Sequence, residues 1–238
     1  MHSASENPAL ELHNVGYYYE RRPGYFSRQK FWALKQVNFT VYQGESLGIV
    51  GSNGSGKSTL LRVLANIVRP DRGSMVNHGH TASLISLQAG FVPYLSGREN
   101  TFLSGLILGV PKRQIREQLV DIMSYSGLGD FFDQPIYSYS SGMRARLGFS
   151  IAFQLNPDIL LIDEVLGVGD ESFRAKSIAR MKEIIFSDKT VVVVSHALDT
   201  VKDLCARVVW IEGGVSQAEG AAEDVLKEYV SYVRTTRK

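Results

Sequence analysis

The sequence predicts an α/β fold: an open, largely parallel sheet built round a phosphate-binding loop, with an antiparallel β portion near the start and an inserted α-helical lobe. Three observations carry this expectation. Residues 45–59, ESLGIVGSNGSGKST, pass from an apolar strand through a glycine-rich loop into a helix. Residues 158–164, DILLIDE, and 190–195, TVVVVS, are short apolar runs separated by an amphipathic helix, the rhythm of buried parallel strands. Between about residues 89 and 140 the strand signals give way to helical ones.

The loop comes first because the other elements are arranged about it. Gly51 is followed after four residues by Gly56-Lys57-Ser58, the spacing at which glycines let backbone N–H groups close round an anion. The expected phosphate-binding set is Gly51, Ser52, Asn53, Gly54, Ser55, Gly56, Lys57, Ser58 and Thr59. A side chain at Gly54 or Gly56 would push the phosphates away. Lys57 would reach the outer phosphates, and the Ser58 hydroxyl would ligate Mg²⁺, which takes hard oxygen ligands. Thr59 is expected to open a helix whose apolar residues Leu60, Leu61, Leu64, Ile67 and Val68 recur at helical spacing, so that its N-terminus points at the anion. A flexible Gly/Ser turn is the bland alternative, and the flanking strand and helix count against it.

Composition narrows the class. A chain of 238 residues can bury one sizeable core, or a core with a smaller lobe attached. Lys and Arg number 26 against 24 acidic residues, and a net charge of +2 gives no case for a nucleic-acid partner. Cys205 is the only cysteine, which excludes an internal disulfide or a cysteine zinc cluster and suits a reducing compartment. The opening MHSASENP lacks the basic-then-apolar layout of a signal peptide, and no apolar stretch is long enough to cross a bilayer. Work at a membrane would need a partner to supply the spanning helices.

In chain order, residues 9–19 and 32–42 are rich in aromatic and β-branched residues and read as two antiparallel strands. Between them ERRPGYFSRQKF holds a Pro-Gly turn; it reads as a solvated hairpin tip, with Arg21, Arg22, Tyr25, Phe26 and Arg28 as the residues that would touch a membrane or a partner. RPDRG at 69–73 is a turn and TASLISL at 81–87 a short strand. Residues 98–108 and 112–126 are helices, the second begun by Pro111 and striped by Ile115, Leu119, Ile122 and Met123 for packing against a neighbour. A third helix starts near Ser141 and stops before Asn156-Pro157. After the strand DILLIDE come a helix at 171–186, the strand at 190–195, a hairpin of 207–212 and 215–218 turning at Gly213-Gly214, and a closing helix at 221–234. Cys205 is expected to pack in a helix as a small apolar residue with no chemistry.

A phosphate loop binds nucleotide; hydrolysis also needs a metal clamp and a group that positions water. Ligands of open α/β sheets sit beyond the carboxyl ends of the strands, where Asp163 and Glu164 fall. Asp163 is the candidate for holding Mg²⁺, directly or through water, and Glu164 for polarising the attacking water. His196 ends another strand at the corresponding edge and is assigned a sensing or orienting role at the γ-phosphate. Tyr139-Ser140-Ser141-Gly142-Met143 places hydroxyls and a glycine at a helix start, a good anion site, although Ser140 would also serve as an ordinary N-cap.

This constellation resembles the ATP-binding cassette (ABC) ATPases along essentially the whole chain: phosphate loop 51–59, signature 139–143, the strand with Asp163-Glu164, a loop ending in Asp170, and His196 occur in that family's order. The resemblance implies a single P-loop NTPase domain spanning 1–238. Its RecA-like core and antiparallel β subdomain would take approximately 1–88 and 157–220, its helical lobe 89–156, and its C-terminal helix 221–234. It further implies ATP and Mg²⁺ as cofactors, Tyr19 stacked on adenine, and Asp170 among the nucleotide-binding residues. Two copies would sandwich two ATP molecules head to tail, with Ser140 and Gly142 of one completing the γ-phosphate site held by Lys57 of the other. The family's inter-lobe Gln, a metal-side residue, is assigned to Gln88, next to Leu87 on which the count back from Arg98-Glu99-Asn100 falls.

DEVLGVGDESFRAK at 163–176, VSHALDTVKDLCARVVWIEGG at 194–214, GFVPYLSGREN at 90–100 and the signature YSSGM are similar to the ATPase subunits of bacterial polysaccharide exporters of the O-antigen, capsule and teichoic acid kinds. The implied setting is peripheral, on the cytoplasmic face of the inner membrane. There the helical lobe would dock on a polytopic membrane permease that moves a lipid-linked polysaccharide. The carbohydrate-binding domain that follows some such ATPases has no room before Lys238. YSSGM departs from the common LSGGQ, so its last position lacks a side-chain amide donor. The alternatives are an ABC exporter ATPase for another substrate, a soluble ABC protein that clamps a macromolecule, and a P-loop kinase, which would need no signature.

Overall fold

The computed structural model describes residues 7–24, 27–85, 91–163 and 171–236, apart from the side chains of residues 21–24, 27, 28, 85 and 172. In chain order the elements are β1 (Pro8–Gly24), β2 (Ser27–Tyr42), β3 (Ser46–Val50), α1 (Lys57–Leu64), β4 (Arg72–Asn77), β5 (Ala82–Ile85), α2 (Gly97–Ile107), α3 (Lys112–Ser126), α4 (Ser141–Gln154), β6 (Ile159–Asp163), α5 (Glu171–Ile185), β7 (Thr190–Val194), α6 (Leu198–Leu204), β8 (Arg207–Glu212), β9 (Val215–Ala221) and α7 (Ala222–Thr236). This is the α/β architecture expected. The chain divides into two compact units, one of residues 1–80 and 185–238 and one of residues 81–184.

In the first unit the strands lie in the order β4-β1-β2-β9-β8-β3-β7. β3 pairs parallel with both β7 and β8, whereas β8 and β9, β1 and β2, and β1 and β4 pair antiparallel. The Val-rich strand β7 is buried along its whole length and β3 and β8 over their central residues, which is why these strands read as unbroken apolar runs rather than alternating ones. α7 closes this side by setting Tyr229 and Tyr232 against Trp210 of β8, with ring centroids 5.6 and 4.9 Å away. Where β2 turns into β3, Arg207 holds Glu45 with a two-pronged contact, Nε to Oε2 at 3.0 Å and Nη2 to Oε1 at 2.7 Å, and also reaches Glu219 and the Thr40 carbonyl. The pairing offsets the cost of the buried Glu45 carboxylate against a half-buried cation and fixes the entry of β3.

The antiparallel pair β1–β2 runs further than the sequence patterns indicated, with register partners continuing through Tyr19↔Phe31 to Gly24↔Ser27. Its side chains alternate between faces. Tyr18 meets the Trp32 ring edge-on and Lys30 lies 4.1 Å from the Tyr18 ring centroid, while Tyr17 and Tyr19 face the other way. β4, at the edge of the sheet, is mostly exposed and was not anticipated, because its residues RGSMVN lack an apolar alternation. α1 starts at Lys57 rather than Thr59 and ends at Leu64, where Asn66 takes a left-handed φ of 55°; Ile67 consequently falls off the apolar face and is exposed. Cys205 follows α6 as its C-cap instead of lying within a helix. Burial pushes its thiol up to about 12, so no thiolate forms near neutrality.

In the second unit β5 and β6 pair parallel. α2 starts with a reciprocal cap in which Ser96 and Glu99 each bond the other's backbone N–H. The core of this unit gathers Ile115 and Ile122 of α3, Leu147 and Ile151 of α4, and Phe132, with Leu119 partly buried against them; Met123, placed on the same stripe by its spacing, is exposed. A second group stacks Phe149 on Phe153 at 4.0 Å and sets Phe173 edge-on to Phe149 and Tyr125, binding α3, α4 and α5 together. Among the described residues no helix is long and apolar enough to cross a membrane.

Candidate functional site

The loop 51–56 leaves the carboxyl end of β3 and enters α1 through Gly56. Gly56 has a φ of 108°, and a Cβ there would lie 2.5 Å from the Ala33 carbonyl oxygen, so the tight approach of the loop to β2 demands glycine. No side chain caps α1 and no acidic residue occupies its first turn. The helix therefore offers its N-terminal N–H groups and the positive end of its dipole without a competing internal anion. Asn53 and Gly54 on the loop and Ser58 in the first turn of α1 are exposed, and a Cβ built on Gly54 would meet nothing within 4 Å. These features fit a bound polyphosphate.

Lys57 is buried, and its Nζ donates to the Gly51 carbonyl at 2.7 Å and the Ser52 carbonyl at 2.8 Å. The ammonium is thus held over the loop that it would share with a phosphate. Ser52 in turn donates from its N–H and Oγ to Glu212 Oε2, at 3.2 and 2.8 Å. Ser55 is buried, and its Oγ has no hydrogen-bond partner among the described residues.

Tyr19 reaches this site from β1. Its hydroxyl lies 3.2 Å from Thr59 Oγ1 and accepts from Arg62 Nη1 at 3.4 Å, and the Tyr17 ring meets it edge-on with centroids 5.0 Å apart. Burial, then the neighbouring Tyr19 and Asp71, push the Tyr17 phenol above its ordinary value, so it stays a neutral ring partner. His196 is exposed just past β7; because β3 and β7 are parallel, with Ile49 opposite Val194, it leaves the sheet at the same edge as the phosphate loop. Tyr19, residues 51–59 and His196 are thus gathered on one unit.

In the second unit, Asp163 ends β6 half-buried, and Ser140 caps α4, its Oγ accepting from the Met143 N–H at 3.1 Å. The capping alternative for Ser140 is therefore realised, yet Gly142 stays unexplained by its own chain: a Cβ there would meet only Ser140 Oγ, at 3.8 Å. Tyr139 anchors this helix tip by donating its hydroxyl to the Phe131 carbonyl at 2.5 Å. Glu164, Asp170 and Gln88 lie outside the described residues.

Mg²⁺ is commonly held by one or two protein oxygens plus phosphate oxygens and water, so a dense protein cage is not required. The exposed Ser58 hydroxyl and the Asp163 carboxylate are donors of that kind. Three residues with site contacts carry no sequence motif: Arg62, Tyr17 and Glu212. The last had the same signal as Asp163, a carboxylate closing an apolar strand before a turn.

Comparison with known proteins agrees with this geometry. The profile of the ABC transporter family matches residues 34–167, more than half of the chain. The O-antigen export system ATP-binding protein RfbB of Klebsiella pneumoniae is 44% identical over 201 residues, covering 84% of this chain and 82% of that protein. The teichoic acids export ATP-binding protein TagH of Listeria monocytogenes serotype 4b is 42% identical over 210 residues, 88% of this chain and 62% of the relative. Among solved structures, the dimeric post-hydrolysis state of the ATP-binding cassette MJ0796 bound to ADP and Pi aligns with a TM-score of 0.72 at 22% identity, over 90% of this chain and 98% of that one. The chain therefore belongs to the ABC transporter family, as one of its nucleotide-binding, ATP-hydrolysing subunits.

Proposed function

We propose that this chain is the ATPase subunit of a bacterial exporter that moves a lipid-linked polysaccharide across the cytoplasmic membrane. The observation that carries the substrate class is the identity of 44% and 42% to proteins of O-antigen export and teichoic acids export. With no membrane-crossing helix among the described residues, the subunit would work peripherally at the cytoplasmic face, docked on a polytopic permease. It would form one cassette along residues 1–238.

The working unit is a head-to-tail pair of copies. The open Gly142 and the capped start of α4 support this reading, because a phosphate brought by a second copy would meet both. Lys57 would then exchange part of its hold on the Gly51 and Ser52 carbonyls for phosphate oxygens. Tyr19 would stack on the base, and the N–H groups of residues 51–59 would cradle the phosphates. Ser58, Asp163 and Gln88 would hold Mg²⁺, which when bound neutralises charge on the phosphate oxygens. Glu164 would polarise the attacking water, His196 would orient it against the outer phosphate, and Ser140, Gly142 and Asp170 would close the site across the pair.

The test is co-expression with a polytopic permease of a polysaccharide export system, taken from the same genome, followed by purification in detergent. The expected outcome is a stable complex with ATPase activity, in which Glu164→Gln keeps ATP bound, accumulates a dimer and slows turnover at least about a hundredfold. Purification alone or with nucleic acid counts against export, and normal turnover in Glu164→Gln counts against the assignment of the water-positioning group.

A further inference from the structure

The turn between β8 and β9 grips the phosphate loop at two places. Glu212 Oε2 accepts both the N–H of Ser52, at 3.2 Å, and its hydroxyl, at 2.8 Å. Two residues on, the Gly214 N–H donates to the Ser55 carbonyl at 3.0 Å, while the Gly214 carbonyl accepts from Lys35 and Gln36 of β2 at 2.7 and 3.2 Å. The backbone of Gly51 is pressed so close to this hairpin that a Cβ would lie 2.0 Å from the Ile211 carbonyl oxygen.

Ser52 is consequently engaged at every polar atom, since its carbonyl receives Lys57 Nζ at 2.8 Å. Glu212, Ser52 and Lys57 form a chain from the hairpin to the ammonium. A glycine-rich loop has wide conformational freedom, and any freedom left before nucleotide arrives is lost on binding and weakens affinity. A carboxylate beside a polyphosphate site also repels the ligand. Its presence makes sense when the two donors it holds matter more than that repulsion.

We infer that Glu212 is a positioning residue: through Ser52 it holds the phosphate loop, and with it Lys57, in the anion-binding form before nucleotide arrives. This rests on the loop being the nucleotide site, and it assigns Glu212 no contact with the nucleotide.

The experiment measures ATP and ADP affinity, KM, kcat and nucleotide-free thermal unfolding for the full chain and its variants. Glu212→Ala should raise Kd for ATP and ADP alike by about tenfold, equivalent to about 1.4 kcal/mol. KM should rise in parallel, with kcat within about threefold, a split that a loss of folded protein does not produce. Both donors of Ser52 converge on one oxygen, so Glu212→Gln keeps the acceptor and should bind within about threefold of the parent. Ser52→Ala removes only the hydroxyl leg and should cost about threefold, and nothing further when added to Glu212→Ala. Unchanged affinity in Glu212→Ala overturns the inference, as does a Gln variant as weak as the Ala one. Should Glu212→Ala not fold, the Ser52→Ala loss decides the matter, and its absence overturns the inference. A parent protein whose ATP affinity is indifferent to Lys57→Ala would instead remove the nucleotide-site reading itself.

Discussion

The Tyr19 hydroxyl sits 3.2 Å from Thr59 Oγ1, tying the aromatic strand β1 to the helix that begins with Lys57. One contact thereby fixes the distance between the ring that would meet a base and the loop that would meet its phosphates. The ring is braced by Tyr17 edge-on and by Arg62. Removing the hydroxyl alone, in Tyr19→Phe, should leave ATP affinity within about threefold, whereas Tyr19→Ala should weaken it about tenfold or more, the usual scale of a base–aromatic stack. Titration with a fluorescent ATP analogue reads both, and equal losses in the two variants would show that the hydroxyl and not the ring carries the effect.

Lys57 gives the second expectation. Its ammonium lies on two carbonyls and is the one cation among residues 51–59, so its bond to phosphate would pair two full charges. Lys57→Ala should raise the ATP Kd by roughly tenfold to a hundredfold, the scale of such a bond. Calorimetric titration checks this, and an affinity equal to the parent's would contradict the assignment.

Gly142 separates a role across a pair of copies from a role within the fold. A Cβ there meets nothing closer than 3.8 Å, and alanine is the better helix former, so Gly142→Ala should leave the unfolding temperature unchanged or slightly raised. ATP turnover should nevertheless fall by about tenfold or more if a second copy's phosphate packs on this glycine. Turnover at the parent rate would mean that nothing approaches that surface.

Tyr139 anchors the same helix tip. Tyr139→Phe keeps the packing and strips the donor from the Phe131 carbonyl, a change worth about 1 to 3 kcal/mol of stability. Burial pushes the phenol up to about 12 from its ordinary value near 10. A raised folded value means that the contribution is complete below pH 10 and disappears as pH climbs through about 12. Alkaline unfolding of the parent should therefore steepen between those limits, while Tyr139→Phe, already lacking the bond, should show a shallower fall there.

What was legible in the sequence was whatever a short stretch of chain decides. The strand, loop and helix around Lys57, the apolar runs of β6, β7 and β8, and the capped start of α4 depend on periodicity, glycine placement and caps within a few residues, and each appears near its expected position. Local rules failed where the deciding partner was distant or the signal faint. β4 exists because β1 offers it a ladder, with Leu10 opposite Asn77 and Leu12 opposite Met75, and α1 ends early because Asn66 turns left-handed.

The site divides along the same line. Sequence alone determined the family of chemistry, since a phosphate loop, an Asp-Glu strand end and a signature stretch are each short enough to be read in place. Only the tertiary structure decided how the loop is held: that Glu212 takes both donors of Ser52 from 160 residues away, that Tyr19 meets Thr59, and that Tyr139 hangs the helix tip on Phe131. The first two bonds join segments whose proximity is created by strand order, a balance of burial and pairing over the whole chain that no local stretch encodes, and the third spans eight residues through a turn that no periodicity announces.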